Sequence, residues 1–329
     1  MGAFSPKGDV LATSAYAANT IELWDVKSGK LLRVLAGHTS MIGSVVFSPD
    51  GKTLVTDSAN GPIKLWNWQT GEQLRTIDTF SPPFSSSLTV SPDGEMIASL
   101  GIASTITLWD TATGQKLREL GGDMFSTQIY SIAFCQEGKA LAILGVDFGF
   151  NRNRAAVTNP NDIRTALEQR LYIKQVDVQT GQELQRIGLD TRTRDKRQSI
   201  AFRLSPDDKT LVISGVDRDP KLLDATTGRQ LKTFTGNTSQ VTATGTSVNG
   251  SLLASGSADG SIKLWDVQRG RQIRALKDND SPIQQIAFSP DSKTLVSATA
   301  EVIKLWDVET GHLIATLAPK DQSIFPGSY

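Results

Sequence analysis

Short runs with apolar residues at alternate positions recur along the chain, each closed by a polar pair. Ile63-Lys64-Leu65-Trp66 and Ile303-Lys304-Leu305-Trp306 are typical. A period of two over so few residues predicts half-buried β-strands rather than helices. Trp24-Asp25, Trp66-Asn67, Trp109-Asp110, Trp265-Asp266 and Trp306-Asp307 close such runs, and two degenerate copies end at Val176-Asp177 and Leu223-Asp224. The closing positions 24, 66, 109, 176, 223, 265 and 306 step by 42, 43, 67, 47, 42 and 41 residues. Seven units follow, with an insertion inside the third interval. Such a period marks a repeat architecture.

Two turn motifs run in phase with these runs. Phe47-Ser48-Pro49-Asp50-Gly51 recurs from Phe4, Val90 and Phe288, with weaker copies from Phe134, Leu204 and Thr246. Proline presets φ, serine and aspartate bond locally, and glycine ends the turn. After each closing pair stands a second turn: Ser28-Gly29, Thr70-Gly71, Thr113-Gly114, Thr180-Gly181, Thr227-Gly228, Arg269-Gly270 and Thr310-Gly311. Each unit therefore reads as four short strands, the outermost being of the Gln73-Leu74-Arg75-Thr76-Ile77 type. One four-stranded sheet cannot keep both faces dry, whereas radial stacking of sheets can. The predicted fold is all-β: a seven-bladed β-propeller of four-stranded antiparallel blades, in one domain over residues 1–329.

On these motifs the chain resembles the WD-repeat (WD40) β-propellers, and its phrasing is similar to prokaryotic arrays of that family. The resemblance implies a buried network of Trp, Ser/Thr, His and Asp within a blade. His38, Thr56, Asn60 and Trp66 match it in blade 2. Ser255, Asp259 and Trp265 match it in blade 6, where Asn237 stands at the His position. These repeated residues are read as structural. Both chain ends fall at nearly the same phase of the repeat. The ring is therefore expected to close by packing blade 7 on blade 1 without a strand exchange, with the tail 319–329 across the seam. Pairing of Ser323-Ile324-Phe325 as a replacement strand is the competing expectation.

Composition narrows the function. Lys plus Arg and Asp plus Glu both number 34, so the formal charge is zero. A neutral chain is not built to coat nucleic acid or an anionic membrane. No run is long and apolar enough for a membrane span, and no leader is visible, so the default expectation is a cytoplasmic location. Cys135 is the single cysteine and fits a reducing compartment.

No catalytic set emerges, and no enzyme, metal site or cofactor is expected. Of the two histidines, His38 suits the structural network and His312 begins an outer strand. Gly256-Ser257-Ala258-Asp259-Gly260 has its serine in the wrong place for a nucleophile elbow. Asp217 and Asp219 read as solvated loop carboxylates.

Departures from the repeat mark where a partner would dock. The largest is the blade 4 insertion at about 147–169, with Phe148, Phe150, Arg152 and Arg154, and with Asp162 placed to cap a short helix over 163–168. The second is the connection from blade 4 to blade 5, with Arg192, Arg194, Lys196 and Arg197. In an antiparallel blade these two loops emerge on one face. Phe80 and Phe84, flanking a Ser-Pro-Pro run between blades 2 and 3, fall on that face too. Aromatics beside arginines suit protein or peptide recognition, acidic or phosphorylated peptides included. The expected function is a non-catalytic protein-interaction scaffold, monomeric or part of a larger assembly. A ligand or enzymatic site at the channel mouth and weak nucleic-acid binding through 192–197 are the alternatives. A mobile solvated insertion is the plain reading of 147–169.

Overall fold

The computed structural model describes residues 2–14, 19–59, 61–79, 87–101, 104–121, 127–147, 170–192, 201–205, 207–214, 218–276 and 281–317; at 147, 170, 190–192 and 201 it describes the backbone alone. Seven four-stranded antiparallel sheets form a seven-bladed β-propeller. Blade 1 runs Gly2–Phe4, Val10–Thr13, Thr20–Asp25 and Leu31–Ala36 from the inner to the outer strand. Blades 2, 3, 4, 5, 6 and 7 span 42–77, 88–121, 127–192, 201–233, 241–276 and 285–317. A 3-10 turn, Gln136–Gly138, interrupts the strands of blade 4.

The turns explain why so short a sequence unit folds repeatedly. In the turn after the inner strand of blade 2, the Ser48 hydroxyl donates to Asp50 Oδ1 at 2.6 Å and accepts from the Thr53 N–H at 2.9 Å. Gly51 closes it at φ 71°. After the tryptophan, Asp25 Oδ1 accepts from both the N–H and the hydroxyl of Ser28, at 2.7 and 2.6 Å. Asp110, Asp177, Asp224 and Asp307 repeat this with the threonine three residues on. These hydrogen bonds hold the aspartates below the usual carboxylate range. The pairing of third and outer strands shifts register at the tryptophan position in all seven blades. Val176 and Leu223 keep that bulge, so the turn sets it and the indole does not.

The core lies between blades. Ile21, Leu23 and Leu35 of blade 1 pack with Ile42, Phe47, Leu54 and Trp66 of blade 2. Leu11 and Trp24 of blade 1 likewise pack with Val296, Leu305 and Leu317 of blade 7. The ring closes on this last contact, since each of these two blades is built from consecutive strands. The tail expected across the seam, and the alternative strand at 323–325, lie outside the described residues.

Side chains on the outer strands of blades 1 to 6 also tie each of these blades to the next. Arg33 donates to the Gln69 carbonyl at 3.0 Å and Arg75 to the Thr113 carbonyl at 3.0 Å. Arg118 reaches the Thr180 carbonyl at 3.3 Å, Gln185 reaches that of Thr226, Lys232 that of Val267 at 3.1 Å, and Arg274 that of Thr310 at 2.7 Å. Ala315 holds the equivalent position in blade 7, and its methyl group lies against Gly29 of blade 1. The closing junction therefore has apolar packing without this tie.

Candidate functional site

Each of the five tryptophans that close a third strand is held by a hydroxyl nine to eleven residues before it, while Trp68 donates to the Gly51 carbonyl at 2.8 Å. Trp66 Nε1 donates to Thr56 Oγ1 at 2.9 Å. Trp24 finds Thr13 at 2.9 Å, Trp109 finds Ser99 at 2.9 Å, and Trp306 finds Ser297 at 2.8 Å. A buried indole N–H needs such a partner.

In blade 2 the network extends through His38. Its Nε2 lies 2.7 Å from Thr56 Oγ1 and its Nδ1 3.0 Å from Ser58 Oγ. Burial, with Lys64 nearby, pushes the imidazole down to about 4. A ring neutral at pH 7, bonded at both nitrogens, is occupied with structure. Ser58 is a member that motif reasoning passes over. The expected fourth member, Asn60, lies outside the described residues.

Blade 6 departs from the expectation. Trp265 Nε1 donates to Ser255 Oγ at 2.9 Å, and Ser255 donates to Asn237 Oδ1 at 3.0 Å. Asn237 Nδ2 then donates 2.9 Å to Asp219 of blade 5. Asp259 stands aside, accepting from Thr238 at 2.6 Å and from the Ser261 N–H at 3.1 Å. The amide explains the exchange. Asn237 directs its donor nitrogen at the preceding blade's carboxylate, so Asp219 closes the chain that Asp259 was expected to close.

One carboxylate has no such support. Asp57 is 1% exposed, and neither of its oxygens meets a hydrogen-bond partner among the described residues. Ser44 is its cross-strand neighbour. Burial raises the Asp57 carboxyl to about 6, against the pull of the Ser44 N–H and hydroxyl, which stop short of hydrogen-bond geometry. No motif announces it, because blade 6 has Gly256 at the same position.

The expected docking residues Phe80, Phe84, Phe148, Phe150, Arg152, Arg154, Arg194, Lys196 and Arg197 lie outside the described residues, as does the short helix expected from Asp162. Arg192 is described in its backbone. Blade 4 itself is distinctive. Its strands Thr127–Cys135, Ala140–Asp147, Arg170–Asp177 and Glu183–Arg192 have nine, eight, eight and ten residues, while no other described strand exceeds six. At one end of this tall sheet Asp147 pairs with Arg170, and Arg170 with Arg192. The bases of the 148–169 and 193–200 segments are thus in register side by side. Among the described residues no group of three or more His, Cys, Asp or Glu side chains could hold a metal ion, and no helix is long and apolar enough to cross a membrane.

Comparison with known proteins bears on the repeat. The WD domain, G-beta repeat family matches residues 29–67. The propeller family of the Nucleolar protein 10-like N-terminal domain matches residues 214–325. The chain is a WD40-repeat β-propeller. Human WD repeat and SOCS box-containing protein 1 is 37% identical over 65 residues, 20% of this chain and 15% of that protein. An uncharacterized WD repeat-containing protein of Synechocystis sp. is 34% identical over 89 residues, 26% of this chain and 25% of its own length. Periodic tryptophan protein 2 homolog of Neurospora crassa is 32% identical over 77 residues, 22% of this chain and 9% of that protein. The matched segments thus span a quarter or less of these relatives. WD40 propellers are generally protein-interaction scaffolds and are typically non-enzymatic.

Proposed function

We propose that this WD40 propeller is a non-catalytic binding platform for other proteins, docking its partner on the face that carries the 148–169 and 193–200 segments. The observation that carries the reading is the extended ladder of blade 4, where Asp147, Arg170 and Arg192 stand in register at one end. It supports bringing Phe148, Phe150, Arg152 and Arg154 beside Arg194, Lys196 and Arg197. Phe80 and Phe84 belong to a connection on the same face. Aromatic anchors ringed by guanidinium groups suit a protein surface or an extended peptide with acidic or phosphorylated side chains.

The rim makes a poorer site. An exposed aliphatic recurs at one position of every outer strand, as Leu32, Leu74, Leu117, Leu184, Leu231, Ile273 and Ile314, with Val34 and Leu313 added in blades 1 and 7. Apolar residues scattered singly are ordinary surface, and a sevenfold repeated feature does not select one position.

The test is a pull-down with the intact chain and with a chain lacking 147–169, followed by titration of a recovered partner. Binding should survive high salt and fall at least tenfold in a Phe148→Ala, Phe150→Ala double variant. Undiminished recovery of every partner by the deleted chain sinks the proposal. Affinity that collapses with salt and follows 192–197 points instead to nucleic acid.

A further inference from the structure

The inter-blade seat of the tryptophan is built alike around the ring, and blade 4 alters it. In blade 2 the Trp66 indole packs against Ile21 and Leu35 of blade 1. Lys64, two residues earlier and so on the same face of the strand, holds its ammonium 5.9 Å from the indole centroid. Lys304 holds the same 5.9 Å from Trp306. Both separations fall within cation–π range.

Blade 4 keeps the lysine and changes the ring. Lys174 is the counterpart of Lys64, Val176 of Trp66, and Ile143 of Thr56. Where the larger side chain would lie there is a cavity of about 220 Å³. Ile106 and Leu120 of blade 3 line it, with Ile129, Ile143 and Val176 of blade 4, and Lys174 and Glu183 form its polar side. Ile106 and Leu120 correspond to Ile21 and Leu35, so the cavity coincides with the indole seat. Blade 5 shows that losing the tryptophan need not leave such a space. Leu223 replaces the indole there, and Leu189 packs against it with Ile187, Phe202 and Ile213 in one cluster.

We propose that the cavity between blades 3 and 4 binds a small aromatic molecule, its ring seated where other blades hold an indole and its face turned to Lys174. The size is sufficient: an aliphatic-lined cavity of about 150 Å³ is known to accept benzene. The walls select the chemistry. Ile143 offers no acceptor where Thr56 offers one, so a ring with no deep N–H or O–H donor fits best. Lys174 is half-buried and bears on the cavity, and its ammonium favours a π-face over an alkane of the same volume. Glu183 stands beside it, paired with Arg186 at 3.9 Å, so the polar side is mixed in sign and the ligand need not be an anion. This site is independent of the partner surface proposed above.

The probes are toluene and methylcyclohexane, followed through the methyl NMR signals of Ile106, Ile129 and Ile143 and through calorimetry. Toluene should give saturable ring-current shifts at these three residues, and methylcyclohexane should bind about two- to fivefold more weakly. Lys174→Met should retain toluene binding and abolish that preference. Val176→Phe, which fills the seat with the chain's own ring, should eliminate binding. Ile143→Phe plugs it from the opposite wall should the first variant fold poorly. Absence of shifts at saturating toluene, equal affinity for the two probes in the parent chain, or undiminished binding in a folded plugged variant overturns the proposal.

Discussion

Arg274 of blade 6 donates through Nη1 to the carbonyl oxygen of Thr310 in blade 7, 2.7 Å away. Equivalent ties cross five other junctions, and Ala315 leaves the seventh without one. All but the part-buried Lys232 tie are solvent-exposed, and each is worth about 1 kcal/mol. Arg274→Ala should lower the denaturation midpoint slightly. Ala315→Arg should raise it by a similar amount if the new side chain reaches the turn at Ser28. Amide exchange in the outer strand of blade 1 and in blade 7 should be faster than at the junction of blades 2 and 3. Uniform exchange around the ring would refute the idea of a weaker seam.

Thr56 serves two buried groups, Trp66 Nε1 and His38 Nε2. Thr56→Val keeps the shape and orphans both, so it should cost about 2–4 kcal/mol, whereas Thr56→Ser should cost about 1. Urea unfolding measures the difference, and equal losses would show that the hydroxyl is irrelevant.

Asp57 and His38 should pull the acid response in opposite directions. The folded Asp57 carboxyl sits at about 6 against an ordinary 3.8, so the folded chain holds a proton that the unfolded one releases. Its contribution therefore grows as pH falls from about 6 towards 3.8. His38 sits at about 4 against an ordinary 6.5, and the unfolded chain binds the proton first. Its contribution falls as pH drops from 6.5 towards about 4. Asp57→Asn should stabilise the chain at pH 7 by about 2 kcal/mol and steepen its loss of stability between pH 6 and 4. His38→Gln should do the reverse to the slope. Parallel stability–pH curves for parent and variants would contradict both assignments.

Cys135 is buried, and burial, with Asp208 nearby, pushes its thiol up to about 12. The thiolate is the reactive form, so iodoacetamide should label the native chain far more slowly than the urea-unfolded chain at pH 8. Labelling at equal rates would show that the thiol is open.

The blade plan was legible because Trp-Asp, Ser-Pro-Asp-Gly and Thr-Gly each solve a local backbone problem that recurs in every unit. Val176 and Leu223 could be placed because Asp177-Thr180 and Asp224-Thr227 carry the turn without the indole. The pairing of Asn237 with Asp219 was not legible, because it crosses between blades and depends on which way an amide points. Ser58 and Asp57 escaped for a related reason. A single strand says which residues share a face, and says nothing of what the next sheet lays against them. The cavity beside Val176 is the same kind of fact, visible once Ile143 and Lys174 are set against Thr56 and Lys64 across blades.

The lengthened strands of blade 4 have a geometric consequence for stoichiometry. Seven equal sectors would present any visitor with seven interchangeable poses, and rotation between them would blur a complex. One raised sector removes that degeneracy. On the proposed docking face, a partner gripping the high point would meet the ring at a single azimuth, and one copy would fill it.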